Sequence, residues 1–291
     1  MLESGMRGVE SKARLLPSFF VVGPPRTGTS WLYEVLCPHT LLPSLTKETR
    51  FFDSHFHRGI EWYRSHYGPS DGDRPMGEIA PTYFASTTAR ERITQMIPQA
   101  KVICIFRNPV DRLLSLYRLK RAYGEISWNF EEAIERDPEL IESSNYTATL
   151  TAWQRALGKN QVMATVYDDL RDQPQAYLDA LVDFIGVPRF VLLSSQIRYV
   201  HASATMTYPR NDHLTRIAAT AAEWLKGKRL DLVVAFAKRS PLVKLFLGGG
   251  RRFSELTPEV SRGLYRLFRP DVDNLEVILN RDLSAWKSKS R

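Results

Sequence analysis

Cysteine is scarce: the 291 residues hold two, Cys37 and Cys104. Two cysteines in apolar runs build no disulfide framework, and both read as small core residues of a protein in a reducing compartment. No run of about 18 apolar residues occurs, so no transmembrane helix is expected. Residues 1–17 are polar and lack the apolar centre of a signal peptide; they read as a loose leader. The six histidines show no metal-ligand spacing, so no metal is expected. Basic stretches interleaved with aromatics are also missing, which sets nucleic acid aside as a partner.

What is present is a core and a positive charge. The chain is 43% hydrophobic and 11% aromatic, which supplies a full core, and 291 residues suffice for one large α/β domain or two modest ones; one domain over 18–291 is expected. Forty basic against 32 acidic residues leave a formal charge of +8. That balance favours an anionic partner such as a nucleotide, a sulfated or phosphorylated ligand, or an anionic membrane. The basic excess collects late, in Lys226-Gly227-Lys228-Arg229, Lys238-Arg239 and Arg251-Arg252.

The chain is organised around Phe19-Phe20-Val21-Val22-Gly23-Pro24-Pro25-Arg26-Thr27-Gly28-Thr29-Ser30-Trp31-Leu32. Four apolar residues read as a buried strand. Gly23-Pro24-Pro25 breaks it. From Thr29, the apolar residues Trp31, Leu32, Val35 and Leu36 recur at helical spacing. Strand, glycine loop and helix start together make a phosphate cradle, because free backbone N–H groups and the positive end of the helix dipole point at the anion. The Walker pattern G-x-x-x-x-G-K-[ST] fits at Gly23, Gly28 and Ser30, but its lysine position holds Thr29. A cation stands inside the loop instead, at Arg26, which suits a phosphate-like group other than ATP.

Further along, Leu41–Leu45 reads as a second strand leading into Lys47-Glu48-Thr49-Arg50-Phe51-Phe52-Asp53. Charges set against two phenylalanines at a strand end mark a ligand position in open α/β sheets. Residues 54–75 read as a loop or a short aromatic helix around Ile60–Tyr63, and Met76–Pro81 as a third strand. A helix is expected over Thr87–Ile97. Lys101–Phe106 is the clearest core strand and ends in Arg107-Asn108-Pro109, with Asn108 as N-cap and Pro109 opening the next helix. Two helices around Asp137-Pro138, a strand over Gln161–Val166, and a helix from Pro174 to Ile185 closed by Gly186 follow. Residues 190–211 read as irregular and 213–247 as helical. Gly248–Phe253 reads as a glycine hinge, and two closing helices span Pro258–Phe268 and Val272–Leu279. Strands alternating with helices predict an α/β fold with a P-loop-like central parallel sheet and helices on both faces.

These pieces together resemble the sulfotransferases that use 3′-phosphoadenosine 5′-phosphosulfate (PAPS), from Phe19 to about Trp286. Gly23–Ser30 is similar to the family's loop for the 5′-phosphosulfate. Ile105-Phe106-Arg107-Asn108-Pro109 with Ser115 is similar to its 3′-phosphate site. Glu48-Thr49-Arg50-Phe51-Phe52-Asp53, Gly59–Tyr63 and Glu78–Phe84 resemble the heparan-type branch, in which a glutamate at the Glu48 position is the base. The tail around Arg251-Arg252, Phe268-Arg269-Pro270 and Asn280–Leu283 resembles the family's end. Two residues depart from the pattern. Many members carry lysine where Arg26 stands, although tyrosylprotein sulfotransferases carry arginine. The heparan branch usually carries lysine where Ile79 stands, and its loss speaks against heparan-like recognition. The missing membrane anchor points to a cytoplasmic, bacterial-type relative.

The resemblance implies sulfuryl transfer from PAPS to a hydroxyl or amine of a small-molecule, carbohydrate or lipid acceptor. Arg26 would stabilise the leaving phosphate with the N–H groups of Thr27, Gly28, Thr29, Ser30 and Trp31, and Glu48 would take the acceptor's proton. Arg107 and Ser115 would hold the 3′-phosphate, Arg251 and Arg252 would close over it, and Tyr167 would stack on adenine. Read without the resemblance, Glu48 is a surface carboxylate paired with Lys47 or Arg50, Tyr167 caps the sheet, and His55 and His57 pack in an aromatic loop or supply the base. The apolar stretch 230–247 is open to three readings: core, homodimer face, or peripheral contact with a membrane. The alternatives from other classes are a P-loop nucleotide kinase or NTPase and a nucleotide-binding protein without chemistry.

Overall fold

The computed structural model describes residues 16–68, 74–201, 211–227, 253 and 256–288. Along the chain the elements are β1 (Phe19–Gly23), α1 (Thr29–Leu36), α2 (Ile60–Arg64), β2 (Gly77–Ile79), α3 (Thr87–Met96), β3 (Lys101–Phe106), α4 (Pro109–Ala122), α5 (Phe130–Arg136), α6 (Pro138–Glu142) and α7 (Tyr146–Leu157). Then come β4 (Val162–Val166), α8 (Tyr167–Asp172), α9 (Pro174–Ile185), α10 (Ser194–His201), α11 (Asp212–Gly227) and α12 (Pro258–Leu279). Contacts divide the chain into two compact units. One holds residues 1–106 and 149–201, the other 107–148 and 202–291.

The first unit is the sheet. Its four strands run parallel in the order β2-β1-β3-β4, the expected P-loop-like α/β arrangement flanked by helices. β1 is buried along its whole length, so both of its faces must be covered. Phe19, Val21, Ile103 and Ile105 pack with Trp31, Leu32, Val35 and Leu36 of α1 and with Leu178, Leu181 and Val182 of α9. Phe20 turns the other way, its ring 5.5 Å from Phe52 and 6.4 Å from Tyr83, while Phe106 lies 5.9 Å from Phe84. Burying these side chains contributes roughly 1.5–3 kcal/mol each. Because the central strands sit under two layers, the loops at their carboxyl ends have a rigid base.

The second unit is helical. Val110, Leu113, Leu116 and Tyr117 of α4 form a core with Phe130 and Ala133 of α5, Leu140 of α6, and Leu264 and Phe268 of α12. The Asp271 carboxylate accepts from the Tyr146 and Thr147 N–H groups at 2.7 and 3.0 Å, so α12 caps the start of α7. Arg112 is fully buried and donates from Nε to Ser144 Oγ at 2.9 Å and from Nη2 to the Leu140 carbonyl at 3.0 Å.

Five expectations need correction. Leu41–Leu45 is no strand: Leu41 makes one parallel bridge to Met76, Pro43 offers no N–H to a ladder, and Leu45 is exposed. Cys37 is exposed at the end of α1, whereas Cys104 is buried in β3. Residues 128–158 hold three helices, because Pro138 starts the separate α6. Ser194–His201 is helical, and the Trp31 indole N–H donates to the Gln196 carbonyl at 2.9 Å, anchoring α10 on α1. The two closing helices are one: α12 runs through Pro270, since Leu264, Phe268, Val272 and Leu275 keep a single buried stripe. The expectations for 1–15, 202–210, 228–252 and 254–255 lie outside the described residues, and with them the glycine hinge, Arg251 and Arg252. Among the described residues, no helix is long and apolar enough to cross a membrane.

Candidate active site

The loop after β1 is shaped by two left-handed residues, Arg26 at φ 77° and Gly28 at φ 91°. Arginine tolerates that region poorly, so its backbone is held there by the surrounding structure. Thr27 is fully buried, and its Oγ1 donates to the Pro24 carbonyl at 2.7 Å, closing the turn. At Gly28 the glycine is required twice over. Its φ disfavours any side chain, and a Cβ would lie 2.6 Å from Leu170 Cδ2 and 3.3 Å from Tyr167 Cε2. At Gly23, φ 93°, a Cβ would sit 2.7 Å from Pro81 Cβ, so the chain leaving β2 presses on the loop's first residue.

Gly28 is the N-cap of α1, and no side chain caps this helix. Glycine has no side chain to take up the N–H groups of the first turn, in line with the cradle read from the sequence. A phosphate-like anion suits this donor set: backbone N–H groups, the positive helix end and the Arg26 guanidinium. The Trp31 side chain belongs to the core, 3% exposed. Tyr167, at the start of α8, packs partly buried against the same core beside Gly28.

Lys47 reaches this loop and brings Glu48 with it as its ion-pair partner. The Lys47 ammonium donates to Ser30 Oγ at 3.2 Å and stands 3.6 Å from Glu48 Oε1. Their side chains are 27% and 28% exposed. Burial pushes the Glu48 carboxyl above its ordinary pKa, against the pull of Lys47 and Arg50. Burial also lowers Lys47, opposed by Glu48 and reinforced by the nearby Arg26 charge. Arg26, Ser30, Lys47 and Glu48 thus form one electrostatic group. Sequence reading gave Lys47 no role beyond pairing with Glu48. Its only signal was its place directly before the candidate base, because the contact with Ser30 spans 17 positions.

Behind Glu48 lies a second carboxyl, Glu78 of β2, which is fully buried. Its Oε1 accepts from the Thr49 N–H at 2.9 Å and from Thr49 Oγ1 at 2.6 Å, and its Oε2 from the Tyr63 hydroxyl at 2.9 Å. The histidines of the aromatic loop mainly pack: the His55 ring lies 5.3 Å from Trp62, and burial and Arg58 lower its pKa.

In the second unit, Arg107 follows β3, and its carbonyl accepts from the Tyr146 hydroxyl at 2.9 Å. Asn108 Oδ1 accepts from the Val110 and Asp111 N–H groups at 3.0 and 3.4 Å, the expected N-cap of α4. Ser115 stands eight residues after Arg107, on the second turn of α4. Among the described residues, no group of three His, Cys, Asp or Glu side chains could hold a metal ion.

The description "Sulfotransferase domain" matches residues 16–225. Curated relatives include the bifunctional heparan sulfate N-deacetylase/N-sulfotransferase 2 of Bos taurus, 28% identical over 207 residues, covering 63% of this chain and 23% of that protein. The human N-deacetylase/N-sulfotransferase 1 is 30% identical over 194 residues, covering 59% of this chain and 22% of that protein. The chain thus spans about a quarter of the length of these relatives. Among solved structures, a sulfotransferase from Alicyclobacillus acidocaldarius superposes with a TM-score of 0.68 at 21% identity, over 94% of this chain and all of that one. Mouse sulfotransferase SULT7A1, solved with PAP, superposes at 0.51 and 19% identity, over 90% of this chain and 86% of that one. The domain match covers more than half of the chain, and the chain belongs to the sulfotransferase domain family, whose donor is PAPS.

Proposed function

We propose that this chain moves the sulfuryl group of PAPS to an amine or hydroxyl of a carbohydrate, small-molecule or lipid acceptor. The observation that carries the reading is the uncapped start of α1 facing a Lys47–Glu48 pair, a cation and a candidate base at one phosphate cradle. Glu48 takes the proton from the acceptor N–H or O–H. The acceptor's lone pair forms the new bond to sulfur as the bond from sulfur to the 5′-phosphate oxygen breaks, and the leaving phosphate keeps that electron pair. Arg26 and the N–H groups of Thr27 to Trp31 meet the charge that grows there. Arginine stays protonated throughout and supplies charge only. Lys47 adds the cation that Thr29 cannot.

Arg107 and Ser115 take the 3′-phosphate in this reading, and Tyr167 takes the adenine face. Arg251 and Arg252 are assigned to the same phosphate. Residues 18–291 act as one sulfotransferase domain, in the cytoplasm, with a homodimer as the assembly to look for. The curated relatives are named for heparan sulfate N-sulfation, so an amino sugar is the first acceptor class to try.

The test is conversion of PAPS to 3′-phosphoadenosine 5′-phosphate (PAP), with a glucosamine oligosaccharide and with 4-nitrophenol as acceptors. Replacing Glu48 by Ala is expected to lower kcat roughly 10²- to 10⁴-fold. Full turnover in Glu48→Ala would remove Glu48 from the base position.

A further inference from the structure

Glu78 is a fully enclosed carboxyl of the sheet. It pairs in register with Phe20 of β1 and is 0% exposed. Five hydrogen bonds converge on it. Besides Thr49 and Tyr63, the Tyr83 hydroxyl lies 3.3 Å from each oxygen. The donors come from three places: the turn after Glu48, α2, and the turn after β2.

These bonds continue into the backbone that carries Glu48. Thr49 Oγ1, while donating to Glu78, accepts from the Phe51 N–H at 3.1 Å. The Tyr83 hydroxyl accepts from the Phe52 N–H at 3.2 Å. Three N–H groups of the turn, those of Thr49, Phe51 and Phe52, therefore end on Glu78 directly or through one hydroxyl. Stability alone is a poor reason for a buried carboxyl here. Removing a carboxylate from water is costly, and an apolar side chain of similar size often serves a core as well. A carboxylate does offer four acceptor positions in a fixed plane, which orient a turn as an apolar residue cannot.

We propose that Glu78 is a positioning residue for the transfer step, holding the Lys47–Glu48 segment against the phosphate loop through Thr49, Tyr63 and Tyr83. This rests on the reading of Glu48 as the base. The ionised form makes the bonds. A protonated Glu78 has to place an O–H among hydroxyls that already donate to it, and the turn loses one anchor. Burial raises the Glu78 pKa to about 7, against the bonds from Thr49, Tyr63 and Tyr83 that favour the carboxylate. The titratable and charged groups around it are Tyr63 on α2, Tyr67 just after α2, Tyr83 after β2, and Lys47, Glu48, Arg50 and Asp53 on the turn. The three tyrosines are pushed well above 10 by burial and by Glu78. They stay neutral where Glu78 titrates.

Turnover should then rise with pH through about 7 as Glu78 ionises. Stability runs the other way. The folded chain holds this proton more tightly than the unfolded chain, so the contribution is full below pH 4.5 and is lost as pH rises through about 7.

The experiment compares wild type, Glu78→Gln and Glu78→Asp by three readouts: the amide resonance of Thr49 against pH, the pH profile of PAPS turnover, and calorimetric binding of PAP. In the wild type the Thr49 amide should titrate with a midpoint near 7, and in Glu78→Gln it should not. Glu78→Gln should lose the part of the limb centred near 7, keeping the limb that Glu48 itself sets, and lose roughly ten- to hundredfold in kcat, with PAP affinity retained. Glu78→Asp, which keeps a carboxylate, should recover the limb. An unchanged limb in Glu78→Gln, or equal losses in PAP affinity and kcat, would overturn the positioning role. A wild type that binds no PAP would instead sink the sulfotransferase reading. The Thr49 titration still decides by itself whether Glu78 holds the turn.

Discussion

Two helices begin directly after core strands, and they begin differently. α1 starts at a left-handed Gly28 with no side-chain cap, whereas α4 starts with the Asn108 side chain on two of its first N–H groups and Pro109 at its first position. Both starts sit at the carboxyl ends of strands, where open sheets put ligands. The difference assigns them different chemistry. At α1 no side chain caps the first turn, so in the proposed reading an anion takes the place of a cap. At α4 the backbone donors are already taken, so any anion there must be held by side chains. Arg107 and Ser115 are the side chains the sequence puts at that end.

The strongest way to break this contrast is at Gly28. Gly28→Ala adds a Cβ 2.6 Å from Leu170 Cδ2 at φ 91°, so the loop must move. The left-handed alanine should lower unfolding free energy by about 1–2 kcal/mol in urea titration. Re-aiming the N–H groups should weaken PAP at least about tenfold by calorimetry. Unchanged PAP affinity would mean that the loop backbone is not the phosphate cradle.

A smaller effect sharpens the same contrast from the other side. Asn108→Ala removes a cap and should cost about 1 kcal/mol of stability. PAP affinity should hold, because side chains bind at that end. A loss of PAP affinity beyond the stability change would show that the start of α4 also takes part through its backbone.

How much of this was legible in the sequence depends on how local the cause is. β1, α1 and β3 could be read residue by residue, because continuous apolar runs are punctuated by glycine and proline. The cap of α4 was equally local, an Asn directly before a Pro. Other features are long-range and leave no local trace. Lys47 meets Ser30, and Thr49 meets Glu78 across 29 positions, because parallel strands bring their ends together. Sequence reading placed Glu78 on a strand and could not see four donors arriving from elsewhere. Cys37 misled because its run is apolar up to Leu36 and the helix ends there. Pro270 misled because proline usually stops a helix, yet the buried stripe on both sides of it outweighs one missing bond.

The central claim is that the cradle at α1 serves a sulfuryl donor and not a nucleoside triphosphate. Calorimetric titration of the wild type with PAP, with 5′-AMP and ATP–Mg as controls, tests it most directly, with Arg107→Ala run beside it. PAP should bind well above both controls, and that advantage should be sharply lost in Arg107→Ala. ATP–Mg binding as tightly as PAP, or more tightly, would contradict it.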